Sequence, residues 1–206
     1  MPKKTRPERF SLSSAQSTGK LGAMFTLDDL LKMPISDLRA TIAAGFPIDP
    51  EALAGMEYRG TSLGLPAIVD KLAWKTFQKT FYRDPATGKI RGWNVRVEQH
   101  GIGASSVPLR KHGDPFTFGH YRVTSLENTN PPWPVGKGLL LDYSQAGNPR
   151  LDPTNRVRDP IFALEPGNVD LLLGWMYLDL GLSKVPTPSF FALERERPIT
   201  FVPKLA

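Results

Sequence analysis

The sequence predicts a mainly β protein. Eight antiparallel strands close in sequential order into an up-and-down barrel, with short helices ahead of it and one helix between strands one and two. Three observations predict this. The 206 residues include 20 prolines and 18 glycines, scattered as punctuation between short apolar runs. Eight such runs follow one another, at about 55–61, 77–84, 89–99, 115–126, 137–144, 157–165, 169–180 and 188–197. Explicit turns among the links make neighbours antiparallel, and closure removes both exposed edges. A strongly curved open sheet with the early helices packed on it is the alternative.

Taken in order, residues 1–25 read as a flexible basic tail, 26–54 as a short helical segment and 55–206 as the barrel domain. The net charge is +6, but residues 1–22 hold Lys3, Lys4, Arg6, Arg9 and Lys20 against Glu8, so only +2 remains on the rest of the chain. A folded surface that neutralises several phosphates would concentrate basic charge, so nucleic acid is not an expected partner. No stretch reaches the ~20 apolar residues of a membrane span, and the N-terminus lacks the apolar centre of a secretion signal. With no cysteine in the chain, the expected location is cytoplasmic.

Thr26 can cap a first helix, with Asp28 and Asp29 in its opening turn, Leu27, Leu30 and Leu31 on one face and Pro34 as its stop. Ser36 can cap a second that buries Leu38 and Ile42 and ends at Gly45. In the barrel region, Asp84-Pro-Ala-Thr-Gly88 closes a hairpin, and Glu165-Pro-Gly-Asn168 suits a type II turn. In "RGWNVRVEQ", Trp93, Val95 and Val97 alternate with Asn94, Arg96 and Glu98. "LLLGWMYLDL" is apolar on both faces, as in a strand packed inside and covered outside. Between strands one and two, Pro66 to Thr76 carries a helical stripe of Ile68, Val69, Leu72 and Ala73. Loops are expected at 100–114 and 127–136.

Gly60-Thr-Ser62-Leu-Gly64 spells the nucleophile elbow of a serine hydrolase. An elbow needs a parallel sheet, an oxyanion donor and a histidine downstream of the acid. The strands here read as antiparallel, and the three histidines, His100, His112 and His120, leave the last 86 residues without one. The glycines are therefore read as turning the chain. The histidine spacings fit no metal site, so no metal and no cofactor are expected. Gly101-Ile-Gly103 and "STGK" lack the rest of their phosphate-binding motifs.

"GMEYRGTSLGLPAIVDKLAWKTFQKTF" resembles the GXWXG domain, with Tyr58-Arg-Gly60 in place of W-x-G and Leu72, Trp74 and the Lys/Phe positions in the following run. "GKGLLLDYSQAGNP", "NVDLLLGWMYLD" and "SFFALERE" are similar to segments of the uncharacterised companion domain that follows it. The resemblance covers about residues 55–197 and implies a small lipocalin-like (calycin-like) barrel; it implies no established activity.

Function is read from the strand residues. Tyr58, Phe81, Trp93, Tyr121, Tyr143, Phe162, Trp175, Tyr177 and Phe191 are spread over all eight strands. Buried phenols and indoles demand hydrogen-bond partners, so a barrel rich in them suits a planar apolar ligand with a few polar atoms. Arg59, Lys79, Arg96, Asp142, Asp179 and Arg195 interrupt apolar runs; an inward cation would need a partner or an anionic ligand. The expected activity is binding of a small hydrophobic or aromatic molecule, with Arg59, Lys79 or Arg195 available for an anionic group. The ligand-binding candidates are Tyr58, Arg59, Lys79, Phe81, Trp93, Tyr121, Tyr143, Trp175, Tyr177, Phe191 and Arg195. The alternative is a barrel-fold isomerase or cyclase in which Asp142, His120 or a tyrosine moves a proton. A third reading is an interaction protein with a filled core.

Overall fold

The computed structural model describes residues 24–64, 75–127 and 129–204. Eight strands close into one antiparallel barrel: β1 (Met56–Leu63), β2 (Thr76–Arg83), β3 (Ile90–Val95), β6 (Thr117–Ser125), β7 (Leu139–Asp142), β8 (Val157–Ala163), β9 (Leu171–Asp179) and β10 (Lys184–Pro198). Each pairs with its neighbour in sequence, and β1 pairs with β10 to seal the wall. Within the loop expected at 100–114, β4 (Arg110–Lys111) and β5 (Asp114–Pro115) form a small side hairpin. Its turn places His112 and Gly113 at φ +55° and +92°, the left-handed geometry of a tight hairpin. The predicted Pro-Gly turn holds, with Gly167 at φ +74°.

Among the described residues, two helices precede the barrel, α1 (Leu27–Lys32) and α2 (Ile35–Ala43). Thr26 caps α1 through a reciprocal pair with Asp29. For α2 the expected cap shifts: the helix begins at Ile35, behind Pro34, so Ser36 lies inside its first turn. Leu30, Leu38 and Ile42 are buried against Phe162, Leu173, Trp175, Tyr177 and Phe190 on the outer face of β8–β10. The double-sided apolar character of β9 follows from this, since one face lines the barrel and the other lies under the helices. The helix expected over 66–76 falls largely outside the described residues.

Side-chain alternation divides the barrel into inner and outer sets. The inner set includes Tyr58, Phe81, Ile90, Tyr121, Leu139, Leu141, Ile161, Leu172 and Leu193, which pack the half of the lumen nearer the start of β1. A 3-10 turn at Pro50–Leu53 closes that end, inserting Leu53 beside Ile48 and Val169. Arg195 holds this end together: it donates to Ala52 O (2.6 Å) and Tyr58 OH (3.3 Å) and pairs with Asp170 (3.4 Å). Among the described residues, no helix is long and apolar enough to cross a membrane.

Candidate functional site

The other half of the lumen is hollow. A cavity of about 350 Å³ is lined by Ser62, Phe77, Lys79, Asn94, Phe118, Tyr143, Thr154, Val157, Asp159, Met176, Ser189 and Phe191. Strand geometry explains the division. Along β2, Phe77 and Lys79 face the cavity while Phe81 lies in the packed half. Along β8, Val157 and Asp159 face it while Ile161 and Ala163 lie below.

A polar cluster forms the boundary between the two halves. Lys79 Nζ donates to Asn94 Oδ1 at 2.9 Å, Tyr143 OH at 2.6 Å and Asp159 Oδ2 at 3.0 Å. Tyr143 donates its own proton to Asp159 Oδ2 at 2.7 Å. Asn94 Nδ2 donates to Gly119 O at 2.9 Å and to Tyr143 OH at 3.3 Å. Four aromatic rings, those of Phe77, Tyr121, Tyr143 and Phe191, lie 5.2–5.5 Å from the ammonium, within cation–π reach. Burial pushes the lysine pKa down, and the charge and hydrogen bond of Asp159 push back. Burial, reinforced by the charge of Asp159, raises Tyr143 well above its ordinary value, so the phenol keeps its proton.

Of the residues expected to bind ligand, Lys79, Tyr143 and Phe191 reach the cavity. Tyr58, Phe81 and Tyr121 point into the barrel but belong to its packed half, as an edge-to-face ladder with successive centroid separations of 5.3 and 6.1 Å. Arg195 closes the far end. The other four lie outside the lumen. Arg59 pairs with Glu194 at 2.8 Å on the outer wall. Trp93 is buried against Tyr82, His120 and Arg91, because the alternation of β3 turns Asn94 inward. At Gly92, on that same inner face, even a methyl group would meet Thr80 O at 2.0 Å. Trp175 stacks on Trp133 (4.3 Å, 10°) beneath α2, and Tyr177 neighbours it.

The two acid/base candidates also lie outside. Asp142 accepts from Ser144 and Gln145 and pairs with Arg158 at 3.3 Å. His120 packs on Trp93, its pKa lowered by burial and by Arg91. The carboxylate inside the cavity is Asp159, which sequence reasoning passed over. A signal existed: in "VRDPI", Asp159 alternates in phase with Val157 and Ile161. Phe77, Asn94, Phe118 and Met176 were missed as well.

Ser62 does line the cavity, but on an antiparallel strand, without the parallel-sheet setting of an elbow. Among the described residues, no group of three histidines or carboxylates is placed to hold a metal ion. The chain matches no protein-family model, and comparisons with curated proteins and with solved structures found no match.

Proposed function

We propose that the barrel binds one small, predominantly apolar organic molecule in its hollow half. The observation that carries this reading is the cavity itself. At about 350 Å³ it falls in the ~300–1,000 Å³ range of small-molecule sites, and it combines an apolar wall with a few convergent polar groups. Phe77, Phe118, Val157, Met176 and Phe191 supply the wall, and the Lys79 cluster supplies the polar floor. A protein serving only as an interaction surface would gain stability by filling this space. The GXWXG resemblance is proposed on the same footing: Tyr58 and Gly60 of its motif lie on strand β1, whereas Lys79 and Phe81 lie on strand β2 and not on the helix the resemblance implied for them. Native mass spectrometry of freshly purified protein tests the reading, together with titration of the neutral fluorophore Nile red. A retained small molecule, or saturable one-to-one dye binding lost on filling the cavity with Ser189→Trp, supports it. Dye binding unaffected by that substitution overturns it.

The polar floor also favours a second reading, an isomerase or cyclase. A carboxylate, a protonated phenol and an ammonium converge inside one apolar cavity, as acid/base chemistry requires. Asp159 would then be the proton acceptor, in the role first expected of Asp142. Asp159→Asn separates the two readings: it abolishes turnover under the second while changing affinity only modestly.

A further inference from the structure

Counting donors and acceptors at the cavity floor leads beyond shape. An ammonium has three N–H donors, and Lys79 directs its three at Asn94, Tyr143 and Asp159. The single phenolic proton of Tyr143 goes to Asp159 Oδ2. Both amide protons of Asn94 are used, on Gly119 O and Tyr143 OH. The cluster therefore has no donor left for a ligand. On the acceptor side the balance differs. Asp159 Oδ2 accepts twice, whereas Asp159 Oδ1 is buried with no hydrogen-bond partner. Asp159 is only 4% exposed and its side chain belongs to the cavity wall, with Oδ1 itself just beneath the accessible surface, so that a donor reaches it as the carboxylate turns about its Cβ–Cγ bond. An unmet carboxylate oxygen in such a place costs free energy until a donor reaches it.

We propose that the ligand is neutral and carries a hydroxyl group, an alcohol or phenol on an apolar skeleton, and that this hydroxyl donates to Asp159 Oδ1. The inference rests on the reading of the cavity as a ligand site. It replaces an anionic ligand for a stated reason. Lys79 is the one cationic side chain among the described lining residues, and Asp159 already neutralises it. A ligand carboxylate would meet no free cation among the described lining residues and would approach a second carboxylate. A ketone would bring an acceptor to an acceptor. A hydroxyl forms the short O–H···O⁻ bond that Asp159 lacks. The remaining polar wall residues, Ser62, Thr154 and Ser189, carry neutral hydroxyls, and Thr154 gives its proton to Asp152 at 2.7 Å.

Isothermal titration with four molecules of one ring system tests this: 2-naphthalenemethanol, 2-methylnaphthalene, methyl 2-naphthyl ketone and 2-naphthoate. The alcohol is expected to bind tighter than the hydrocarbon by about tenfold or more, with the ketone and carboxylate weaker than the hydrocarbon. In Lys79→Met/Asp159→Leu, which removes both charges together, alcohol and hydrocarbon are expected to bind within about twofold of each other. Hydrocarbon binding without an alcohol preference overturns the hydroxyl assignment and leaves the cavity reading standing. So does a preference that survives in the double variant, or a carboxylate that binds tightest. If none of the four binds, the cavity reading itself falls.

Discussion

Lys79 on β2 and Asp159 on β8 stand four strands apart in either direction around the barrel, and their side chains meet at 3.0 Å across its lumen. The pair is a crossbar. On one side of it the barrel is packed solid by Phe81, Tyr121, Leu141 and Ile161; on the other it is hollow. Both side chains are almost wholly buried, at 3% and 6% exposure, so each charge depends on the other. Tyr143 and Asn94 complete the bridge, and Tyr121 supports Tyr143 from below at 5.3 Å.

Removing one end of the crossbar should cost more than removing both. Lys79→Met leaves Asp159 buried and unpaired, and the expected loss is ~3–5 kcal/mol. Lys79→Met/Asp159→Leu should lie within ~1 kcal/mol of the parent, because the desolvation penalty disappears with the charges. Urea unfolding at neutral pH checks this. A single variant as stable as the double would show that water reaches the pair.

Trp175 and Phe191 should separate stability from binding, although both are buried aromatics of adjacent strands. Trp175→Ala removes the stack with Trp133 outside the barrel, and a loss of ~3–5 kcal/mol is expected. Its affinity for Nile red should stay within about twofold of the parent's, since no wall atom of the cavity is altered. Phe191→Ala, which removes a ring from the cavity wall, should change dye affinity severalfold. Equal effects of the two on binding would contradict the placement of Trp175.

Alkaline pH should destabilise the fold. Burial raises the pKa of Tyr58, Tyr121 and Tyr143, and that of Tyr177 to about 12. Above pH 10 the unfolded chain releases these protons while the folded chain retains them, so the unfolded state binds fewer and stability falls as pH rises. For Tyr177 the fall runs from pH 10 to about 12 and then levels off. Lys79 acts with the opposite sign, because its folded pKa is lowered and the unfolded chain holds the proton longer, up to about 10.5. Above about pH 10.5 the lysine is deprotonated in both states and adds no further slope, so the tyrosines set the sign there. Tyrosinate absorbance at 295 nm should therefore rise together with loss of the β-sheet circular dichroism signal, and ionisation of Tyr121 or Tyr143 in a still-folded chain would contradict their burial.

Gly92→Ala should be costly despite its small size. The added methyl would meet Thr80 O at 2.0 Å and the Tyr121 ring at 2.4 Å. Backbone cannot swing aside as a side chain does, so a loss of at least ~1–3 kcal/mol is expected. The denaturant midpoint measures it. A neutral result would mean that β2 and β3 are free to spread.

Much of the architecture was legible in the residue order. All eight barrel strands, the Glu165-Pro-Gly-Asn168 turn, the Thr26 cap and the doubly apolar β9 follow from local patterns, because turns and alternation act over a few residues. The site was read only in part. Lys79, Tyr143 and Phe191 stand in the cavity, but Trp93, Trp175 and Tyr177 face outward and Asp159 was overlooked. Alternation sorts a strand into two sets and is silent on which set faces the axis when both are apolar. The outer apolar set of β9 and β10 is explained by α1, α2 and Trp133 lying on it.

By itself, then, the order of residues determined the strands and their antiparallel succession, since each depends on neighbours in the chain, whereas the seal of the wall joins the first strand to the last. Only the tertiary structure decided where the lumen is hollow and which charges meet inside it. Lys79 and Asp159 are separated by 80 positions, and no local pattern encodes their meeting. Curling eight strands into a ring brings opposite strands within one side-chain bridge of each other, and burial there holds the two charges together.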